Sequence, residues 1–269
     1  MKILFLGDIV GPSGCSAIKN FLPKIVSENS IDFVIVNGEN AADQGVGITE
    51  KIANDLFNSG VNVITSGNHV WDQKEAIDYI EKEKKFLRPE NLIDLSPGKG
   101  FEIFITQNGE KVGVLNLMGN IYMKKCNNAF ISAENILNKY KIKKDMDFFI
   151  VDFHGEITSE KMAMGHFFDG KATLVVGTHT HVPTSDCRIL DHGTAYQTDA
   201  GMCGDYNSVI GMDKNNSLNR FLNKKNNLKH FPSLGDATLC GAIIDCDKET
   251  GLAKSIKQFI YGGVLQNNR

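Results

Sequence analysis

Several features that define common classes of protein are missing from this sequence of 269 residues. It has no uninterrupted apolar stretch of about 18 residues, so we expect no transmembrane helix. The amino terminus, MKILFLGDIV, carries one lysine and an apolar stretch that is too short for a signal peptide, and it lacks a small-residue cleavage site. We therefore expect a cytoplasmic protein that neither crosses nor binds a membrane.

Other missing features exclude further kinds of site. None of the six cysteines forms a Cys-x-x-Cys pair, so buried thiols in a reducing compartment explain them better than disulfides or a zinc site. The formal net charge of -3 gives no indication of a broad surface for nucleic acid or membranes. A P-loop and a dinucleotide fingerprint are also missing, and the sequence therefore gives little support to ATP hydrolysis or NAD chemistry.

Short apolar runs alternate with amphipathic stretches over the first two thirds of the chain. Strands are predicted for KILFLG, DFVIVNGEN, VNVITSGNH, KVGVLNLMG, DFFIVDFHGE and ATLVVGTHTH. Helices are predicted for SAIKNFLPKIVSEN, TEKIANDLFNSG, DQKEAIDYIEKEKK, SAENILNKY and SEKMAMGHFFDG. We expect Thr49 to cap the second helix, Gly60 to end it, and Pro23 to bend or delay the first. This order predicts βαβ units around a largely parallel central sheet.

The last third of the chain has a different pattern. CRILDHGTAYQTDAG and ATLCGAIIDCDKETGLAKSIKQFIY predict antiparallel strands, the latter as a hairpin that turns near residues 249–251. Residues 213–233 are polar and predict a helix with a loop. Because no repeat or linker interrupts the chain, we expect a single domain over residues 1–269, with a small insertion near 120–135 or 205–235.

Metal-binding side chains follow the predicted strands at the point where each strand ends. Parallel strands bring their carboxyl ends to one edge of a sheet, where open α/β folds bind ligands. Oxygen and nitrogen donors without thiolates suit two divalent metals such as manganese, iron or zinc, and the adjacent glycines let the backbone approach a ligand. The donors are Asp8, Glu39, Asn40, Asn68, His69, His154, His179 and His181.

Each motif taken alone has a simpler explanation. Asp8 could belong to a turn or cap, Asn68 and His69 could form a satisfied polar pair, and His154 could be a core histidine. Five independent turns that each carry a metal-capable side chain explain the regular order poorly. The combination therefore predicts a metal centre.

Several other polar positions are expected to have lesser roles. His166 lies in a predicted helix and His230 in a polar loop, so both are expected to be structural or exposed. His192 lies in the turn DHG. The segment TDAGMCGD, residues 198–205, either shapes a substrate pocket or is a plain turn.

The order GD, GEN, GNH, HGE and GTHTH resembles the calcineurin-like metallophosphoesterase superfamily. Within it, GNHVWDQKE, NGENAADQGVGIT and GTHTHVPT are similar to the bacterial YmdB-like phosphodiesterase branch, and the similarity extends from Met1 to the C-terminal hairpin. The resemblance implies a four-layer α/β/β/α sandwich whose active site lies at the C-terminal ends of the sheet strands. It also implies two divalent metal ions, with iron or manganese favoured over zinc.

The sequence departs from the general superfamily at two positions. Most members begin with Asp-x-His, whereas Val10 stands here after Asp8-Ile9, and Glu39 replaces the usual bridging aspartate. The YmdB-like branch shares both changes. The resemblance implies that Glu39 bridges the metals, that metal one also takes Asp8, Asn40 and His181, and that metal two also takes Asn68, His154 and His179.

These residues imply a phosphodiesterase mechanism. Two metals about 3.5–4 Å apart can share a hydroxide for in-line attack on phosphorus and neutralise charge on its oxygens. His69 is the strand-end histidine left without a metal, which makes it the candidate proton donor. Asp72 would either orient His69 or cap the next helix. The resemblance implies a small-molecule substrate, a 2′,3′- or 3′,5′-cyclic nucleotide, with no stable nucleic-acid binding.

Other functions stay open at this stage. One is a phosphomonoesterase of the same superfamily, and another is a metal-binding regulatory protein with little catalysis. A dinuclear amidohydrolase is disfavoured because it typically carries His-x-His on the first strand of an eight-unit barrel, whereas here the pair follows a late strand. Assembly into a homo-oligomer is also open.

Overall fold

The computed structural model describes residues 1–93, 96–224 and 230–265. Over these ranges the chain forms twelve strands and six helices. In chain order they are β1 (Lys2–Val10), α1 (Gly11–Asn29), β2 (Phe33–Asn40), α2 (Glu50–Asn58), β3 (Val63–Thr65), α3 (Glu75–Ile80), β4 (Phe101–Ile105), β5 (Lys111–Met118), α4 (Ala129–Lys139), β6 (Phe148–His154), α5 (Thr158–Phe168), β7 (Leu174–Thr178), β8 (Arg188–Ile189), β9 (Ala195–Gln197), β10 (Met202–Asp205), α6 (Lys214–Phe221), β11 (Ala237–Cys246) and β12 (Ala253–Tyr261).

The strands form two six-stranded mixed sheets. The first sheet has the order β12-β11-β10-β1-β2-β3, in which β10, β1, β2 and β3 are parallel and β11 and β12 are antiparallel to their neighbours. The second has the order β4-β5-β6-β7-β9-β8, in which the four central strands are parallel and the two edge strands are antiparallel. The carboxyl ends of the parallel strands of each sheet therefore lie at one edge of that sheet.

Both faces of each sheet are buried, because alternate residues of the inner strands pack into different hydrophobic cores. Ile3 and Phe5 of β1 pack with Val112 of β5 in the core between the sheets, whereas Leu4 and Leu6 belong to a second core with α1 and α2. A third core joins the outer face of the second sheet to α4 and α5. Successive side chains of a strand point to opposite faces, so the helices cover the two outer faces and the sheets cover each other.

The four-layer arrangement implied by the family resemblance is thus confirmed, and the expectation of one central sheet is wrong. An apolar run predicts a buried strand but does not indicate which sheet the strand joins. The strands β2 and β6 carry similar runs and belong to different sheets. The short edge strand β4 was not predicted; none of its residues is fully buried, and Ile105 is exposed. The single domain over residues 1–269 stays a prediction.

The structure also refines several element boundaries. Thr49 caps α2 as predicted, since its side chain accepts a hydrogen bond from the Ile52 N–H at 3.2 Å. The first helix begins at Gly11 and continues through Pro23, which therefore does not delay it. The strand predicted for VNVITSGNH ends at Thr65, and the helix that follows it is shorter than predicted.

The C-terminal predictions agree with the structure where it can be compared. Cys246 pairs with Ala253 across the β11–β12 hairpin, which confirms the turn near residues 249–251. Helix α6 lies in the polar segment 213–233, of which residues 225–229 are outside the described ranges. Among the helices that the structure describes, none is both long and apolar enough to span a membrane.

Candidate metal centre

The predicted metal ligands come from the carboxyl ends of strands in both sheets. Asp8 lies in β1 and Glu39 and Asn40 end β2 in the first sheet, while His154 is the last residue of β6 in the second. The remaining ligands lie just beyond β3 and β7; they are Asn68, His179 and His181.

Four predicted ligands of metal two converge on one point. The Nε2 atom of His154 lies 3.1 Å from Glu39 Oε1, 3.1 Å from Asn68 Oδ1 and 3.1 Å from His179 Nδ1. Donor atoms of Glu39, His154 and His179 all lie within 4.8 Å of one another. Two nitrogens and two oxygens in such proximity match the ligand set of a first-row divalent metal.

The predicted ligands of metal one lie beside this cluster. Asp8 Oδ1 is 3.9 Å from His181 Nε2 and 3.7 Å from His154 Nδ1. Asp8 Oδ1 and Asn40 Oδ1 are both buried, and neither has a hydrogen-bond partner among the described residues. Buried oxygens without partners are rare because they lose their hydration, and a bound cation is one group that satisfies them. These residues therefore fit a metal.

Each of the three histidines has its other ring nitrogen held by an acceptor. The Ile210 carbonyl accepts from His181 Nδ1 at 2.8 Å, and Glu156 Oε2 lies 3.1 Å from His179 Nε2. The hydroxyl of Thr178 accepts from His154 Nδ1 at 2.9 Å, because its own hydrogen is donated to Asp152 Oδ1 at 2.7 Å.

This hydrogen bonding fixes the tautomers. A neutral imidazole that donates through one nitrogen keeps a lone pair on the other. In their neutral forms the rings therefore carry their lone pairs on His154 Nε2, His179 Nδ1 and His181 Nε2, the nitrogens that face into the cluster, as metal coordination requires.

Burial and charge determine the ionisation of the cluster. Burial alone lowers the pKa of His154, but Glu39 beside it outweighs burial and raises that pKa to about 9. Burial opposes the charge on Glu39, yet His154 lowers the pKa of Glu39 to about 2. Burial, reinforced by the charge of His154, lowers the pKa of His179 to about 3, and burial raises the pKa of Asp8. A cation among these donors would replace the proton on His154 Nε2.

The backbone around the cluster leaves no room for larger residues. A Cβ atom at Gly67 would lie 2.3 Å from Glu39 Oε2 and 2.3 Å from His154 Nε2. His179 and His181 adopt positive φ angles of 99° and 66°. Gly67 is thus required because the backbone there approaches Glu39 and His154 closely. The sequence predicted such a close approach for the glycines beside the ligands.

His69 lies next to the cluster without joining it. Its backbone N–H donates to Glu39 Oε2 at 3.1 Å, and its Nδ1 lies 2.6 Å from Asp72 Oδ2. Asp72 does not cap the following helix, since α3 begins after Lys74 without a side-chain cap. Of the two roles predicted for Asp72, the capping role is wrong and the contact needed to orient His69 is present.

Several supporting residues were missed in the sequence. Asp152 gave a detectable signal, because a carboxylate inside the apolar run FFIVDFH is unusual. Glu156 lies inside the HGE motif. Lys124 gave no signal: its Nζ lies 3.5 Å from Asp72 Oδ1 and donates to the Asn68 carbonyl at 2.5 Å, across a loop that follows no periodic pattern.

The remaining sequence predictions have mixed outcomes. His166 and His230 are exposed, in agreement with the prediction that they are structural or exposed, and His192 is exposed as well. Segment 198–205 is not a plain turn, since Met202–Asp205 forms β10 and the carbonyl of Gly201 accepts from the Asp8 N–H at 3.2 Å. Whether that segment shapes a substrate pocket stays a prediction.

Comparisons with known proteins indicate the same class of protein as the candidate metal centre does. The sequence model of a family described as YmdB-like protein matches residues 4–259. The chain is 42% identical to a 2′,3′-cyclic-nucleotide 2′-phosphodiesterase of Bacillus subtilis (strain 168), an alignment that covers 97% of each chain.

Two solved structures resemble the whole chain. A hypothetical protein from Thermus thermophilus superimposes with a TM-score of 0.89 at 36% identity, and covers 98% of this chain and 100% of its own. A novel phosphatase from Mycoplasma pneumoniae also has a TM-score of 0.89 at 36% identity, with coverages of 97% and 93%. These findings confirm the predicted resemblance and support the predicted class of metal-dependent phosphoric diester hydrolases.

Proposed function

Because the chain belongs to the YmdB-like protein family, we propose that it is a dinuclear-metal phosphodiesterase that hydrolyses cyclic nucleotides. The relative from Bacillus subtilis makes 2′,3′-cyclic nucleotides the first substrates to consider, and 3′,5′-cyclic nucleotides the second. We propose the cytoplasm as its location.

The proposed ligands follow the two clusters. Glu39 would join them, since its Oε1 faces His154 and its neighbour Asn40 carries one of the two unpartnered oxygens of the first cluster. Metal one would be held by Asp8, Glu39, Asn40 and His181, and metal two by Glu39, Asn68, His154 and His179. Oxygen and nitrogen donors without sulfur favour iron or manganese, with zinc as the alternative.

The observation that carries the proposal is the orientation of the histidine rings. A structural histidine needs only to satisfy its own hydrogen bonds, and one such acceptor for each ring would suffice. Here three rings are each held by an acceptor on the outer side, and all three turn their remaining nitrogen into the cluster. His154 Nε2 meets buried oxygens of Glu39 and Asn68 as well as His179 Nδ1, and His181 Nε2 lies 3.9 Å from Asp8 Oδ1. This is the arrangement by which hydrogen-bonded partners orient metal ligands.

When bound, two divalent cations would lower the pKa of a shared water and neutralise charge on the phosphoryl oxygens. The protein's own residues supply the remaining steps. His69 would donate a proton to the departing ester oxygen from Nε2, because Nδ1 is held by Asp72. The carboxylate of Asp72 would hold the ring in place for this role, and Lys124 Nζ lies 3.5 Å from Asp72 Oδ1.

Phosphomonoester hydrolysis is the second candidate, because the structural relative from Mycoplasma pneumoniae is described as a phosphatase. The two activities differ in the leaving group and in the charge on the substrate. A regulatory protein that binds metal without catalysis is the third, and nothing in the geometry favours it over an active site.

Metal removal and restoration would test the proposal directly. The purified protein would be assayed with bis(p-nitrophenyl) phosphate as isolated, after chelation, and after addition of manganese or iron. The restored protein would then receive 2′,3′-cAMP, 3′,5′-cAMP and 3′-AMP, with products separated by chromatography. We expect hydrolysis of the 2′,3′-cyclic diester that chelation abolishes and metal restores.

Two results would contradict the proposal. Cleavage of the monoester alone would assign the protein to the phosphomonoesterases. A fully metal-loaded protein that leaves every ester intact would favour the regulatory alternative.

A further inference from the structure

A fully buried ion pair lies behind the loop that carries His179 and His181. Lys161, in the first turns of α5, places its Nζ 2.6 Å from Asp199 Oδ2, and the two side chains are only 2% and 1% exposed. The stem of Lys161 passes over Gly177, where an added Cβ would lie 2.8 Å from Lys161 Cδ. The pair therefore packs directly against the end of β7.

Asp199 connects this lysine to the backbone on both sides of the metal centre. Its Oδ2 accepts from the Thr180 N–H at 3.1 Å and from Thr180 Oγ1 at 2.7 Å. Its Oδ1 accepts from the Gly201 N–H at 2.8 Å. Thr180 stands between the two histidines, and the carbonyl of Gly201 accepts from the N–H of Asp8. One carboxylate thus reaches the backbone next to three proposed ligands.

The loop held in this way has an unfavourable conformation. The φ angles of His179 and His181 are 99° and 66°, which residues with a Cβ rarely adopt. Such conformations persist only where surrounding contacts determine them. Between the two histidines the anchoring side chain is Thr180, through its bonds to Asp199.

We propose that Lys161 and Asp199 are positioning residues for the metal centre, which hold the His179–His181 loop and the Asp8 backbone in the geometry that metal binding needs. This inference rests on the proposed metal centre. Buried ion pairs contribute little net stability because both charges lose their hydration, so specificity of geometry is the better explanation for retaining this one.

The test measures metal binding rather than turnover. Manganese binding would be titrated by calorimetry and by electron paramagnetic resonance in the wild-type protein and in Lys161→Met, which removes the charge and keeps the stem. Partners that orient metal ligands typically contribute about 10–100-fold to metal affinity. We expect a loss of that size in Lys161→Met, together with a circular dichroism spectrum like that of the wild type.

Matched variants separate positioning from a general effect on folding. Thr180→Val removes only the hydroxyl that donates to Asp199, whereas Thr180→Ser keeps it. We expect weaker manganese binding in Thr180→Val and affinity close to the wild type in Thr180→Ser. Lys171→Met, at an exposed lysine that bonds the Phe167 carbonyl, is the control for loss of a lysine and should bind as the wild type does.

The outcomes discriminate between the two levels of the proposal. If Lys161→Met fails to fold, the positioning role is tested by comparing the manganese affinity of Thr180→Val with that of Thr180→Ser. Folded variants that bind two manganese ions with wild-type affinity would overturn the positioning role and leave the metal centre intact. Wild-type protein that binds fewer than two ions would overturn the proposed metal centre, and the positioning role with it.

Discussion

At the scale of single residues, the surroundings of His69 differ from those of the histidines that are candidate ligands. The rings of His154 and His179 approach each other and Glu39, whereas the ring of His69 pairs with Asp72 outside that cluster. The side chain of His69 is 29% exposed, so its remaining nitrogen can meet a substrate. An imidazole held by a carboxylate, beside the candidate metal ligands but not among them, suits proton donation.

Replacement of His69 by alanine should therefore remove catalysis and leave the metals bound. For a cyclic nucleotide, whose leaving group is a basic alkoxide, we expect kcat to fall by about 10²–10⁴-fold, the usual contribution of a general acid. For bis(p-nitrophenyl) phosphate the loss should be much smaller, since nitrophenolate leaves without a proton. Steady-state kinetics with both substrates, combined with metal analysis, would measure the difference.

The exposed His192 supplies the control for this variant. His192→Ala should match the wild type with both substrates, because His192 lies in the turn between β8 and β9. Equal losses for both substrates in His69→Ala would mean that His69 does not act as the proton donor.

The candidate ligands could be identified in the sequence, but the residues that support them could not. Asp8, Glu39 and His154 follow apolar runs, so their types and order are visible in the sequence. The acceptors for the rings are not: a backbone carbonyl at Ile210 has no side-chain signature, and the contact of Lys161 with Asp199 joins residues 38 positions apart. Such contacts depend on how the sheets and loops pack, which local patterns do not contain.

At the scale of the elements, helix α2 follows a strand that carries two proposed ligands. Glu39 and Asn40 end β2, and the loop after them reaches Thr49, which caps α2 through the Ile52 N–H. The cap satisfies one of the backbone donors that every helix leaves unpaired at its start.

Loss of this cap should weaken the fold by a defined amount. We expect Thr49→Ala to lower the free energy of unfolding by about 1 kcal/mol, the typical contribution of an N-cap hydroxyl. Thr49→Ser should retain most of the stabilisation by the cap, because serine offers the same hydroxyl acceptor. Urea denaturation followed by circular dichroism would compare the three proteins, and a serine variant as unstable as the alanine variant would contradict the capping role.

Most elements were predictable because their patterns are local, and the pairing of strands was not. The alternation of Ile3 and Leu4 on opposite faces makes β1 apolar throughout, so the sequence shows a buried strand without showing which layer covers each face. Assignment to two sheets required the family resemblance. Strand β3 was predicted too long, because the ligand-bearing residues after Thr65 leave the sheet to reach the site.

At the scale of the whole molecule, the candidate metal centre takes its residues from both sheets. Asp8, Glu39 and Asn40 belong to the first sheet, and His154 and His179 belong to or follow strands of the second. A cation bound to ligands from both sheets would link them at one edge, in addition to the apolar core that packs between them. Metal binding and global stability should therefore be coupled, since an ion that binds only the folded protein stabilises it.

Thermal unfolding should report this coupling. At a free manganese concentration of 100 times Kd, each occupied site adds about 2.7 kcal/mol, which corresponds to a rise in Tm of roughly 5–10 °C for a protein of this size. We expect Tm to increase with manganese concentration in the wild type and in His192→Ala, and to respond much less in His154→Ala, which removes the residue at the centre of the second cluster. Scanning calorimetry at a series of manganese concentrations would measure the Tm of each protein. An identical Tm in chelator and in saturating manganese would show that the cation does not bind across the sheets.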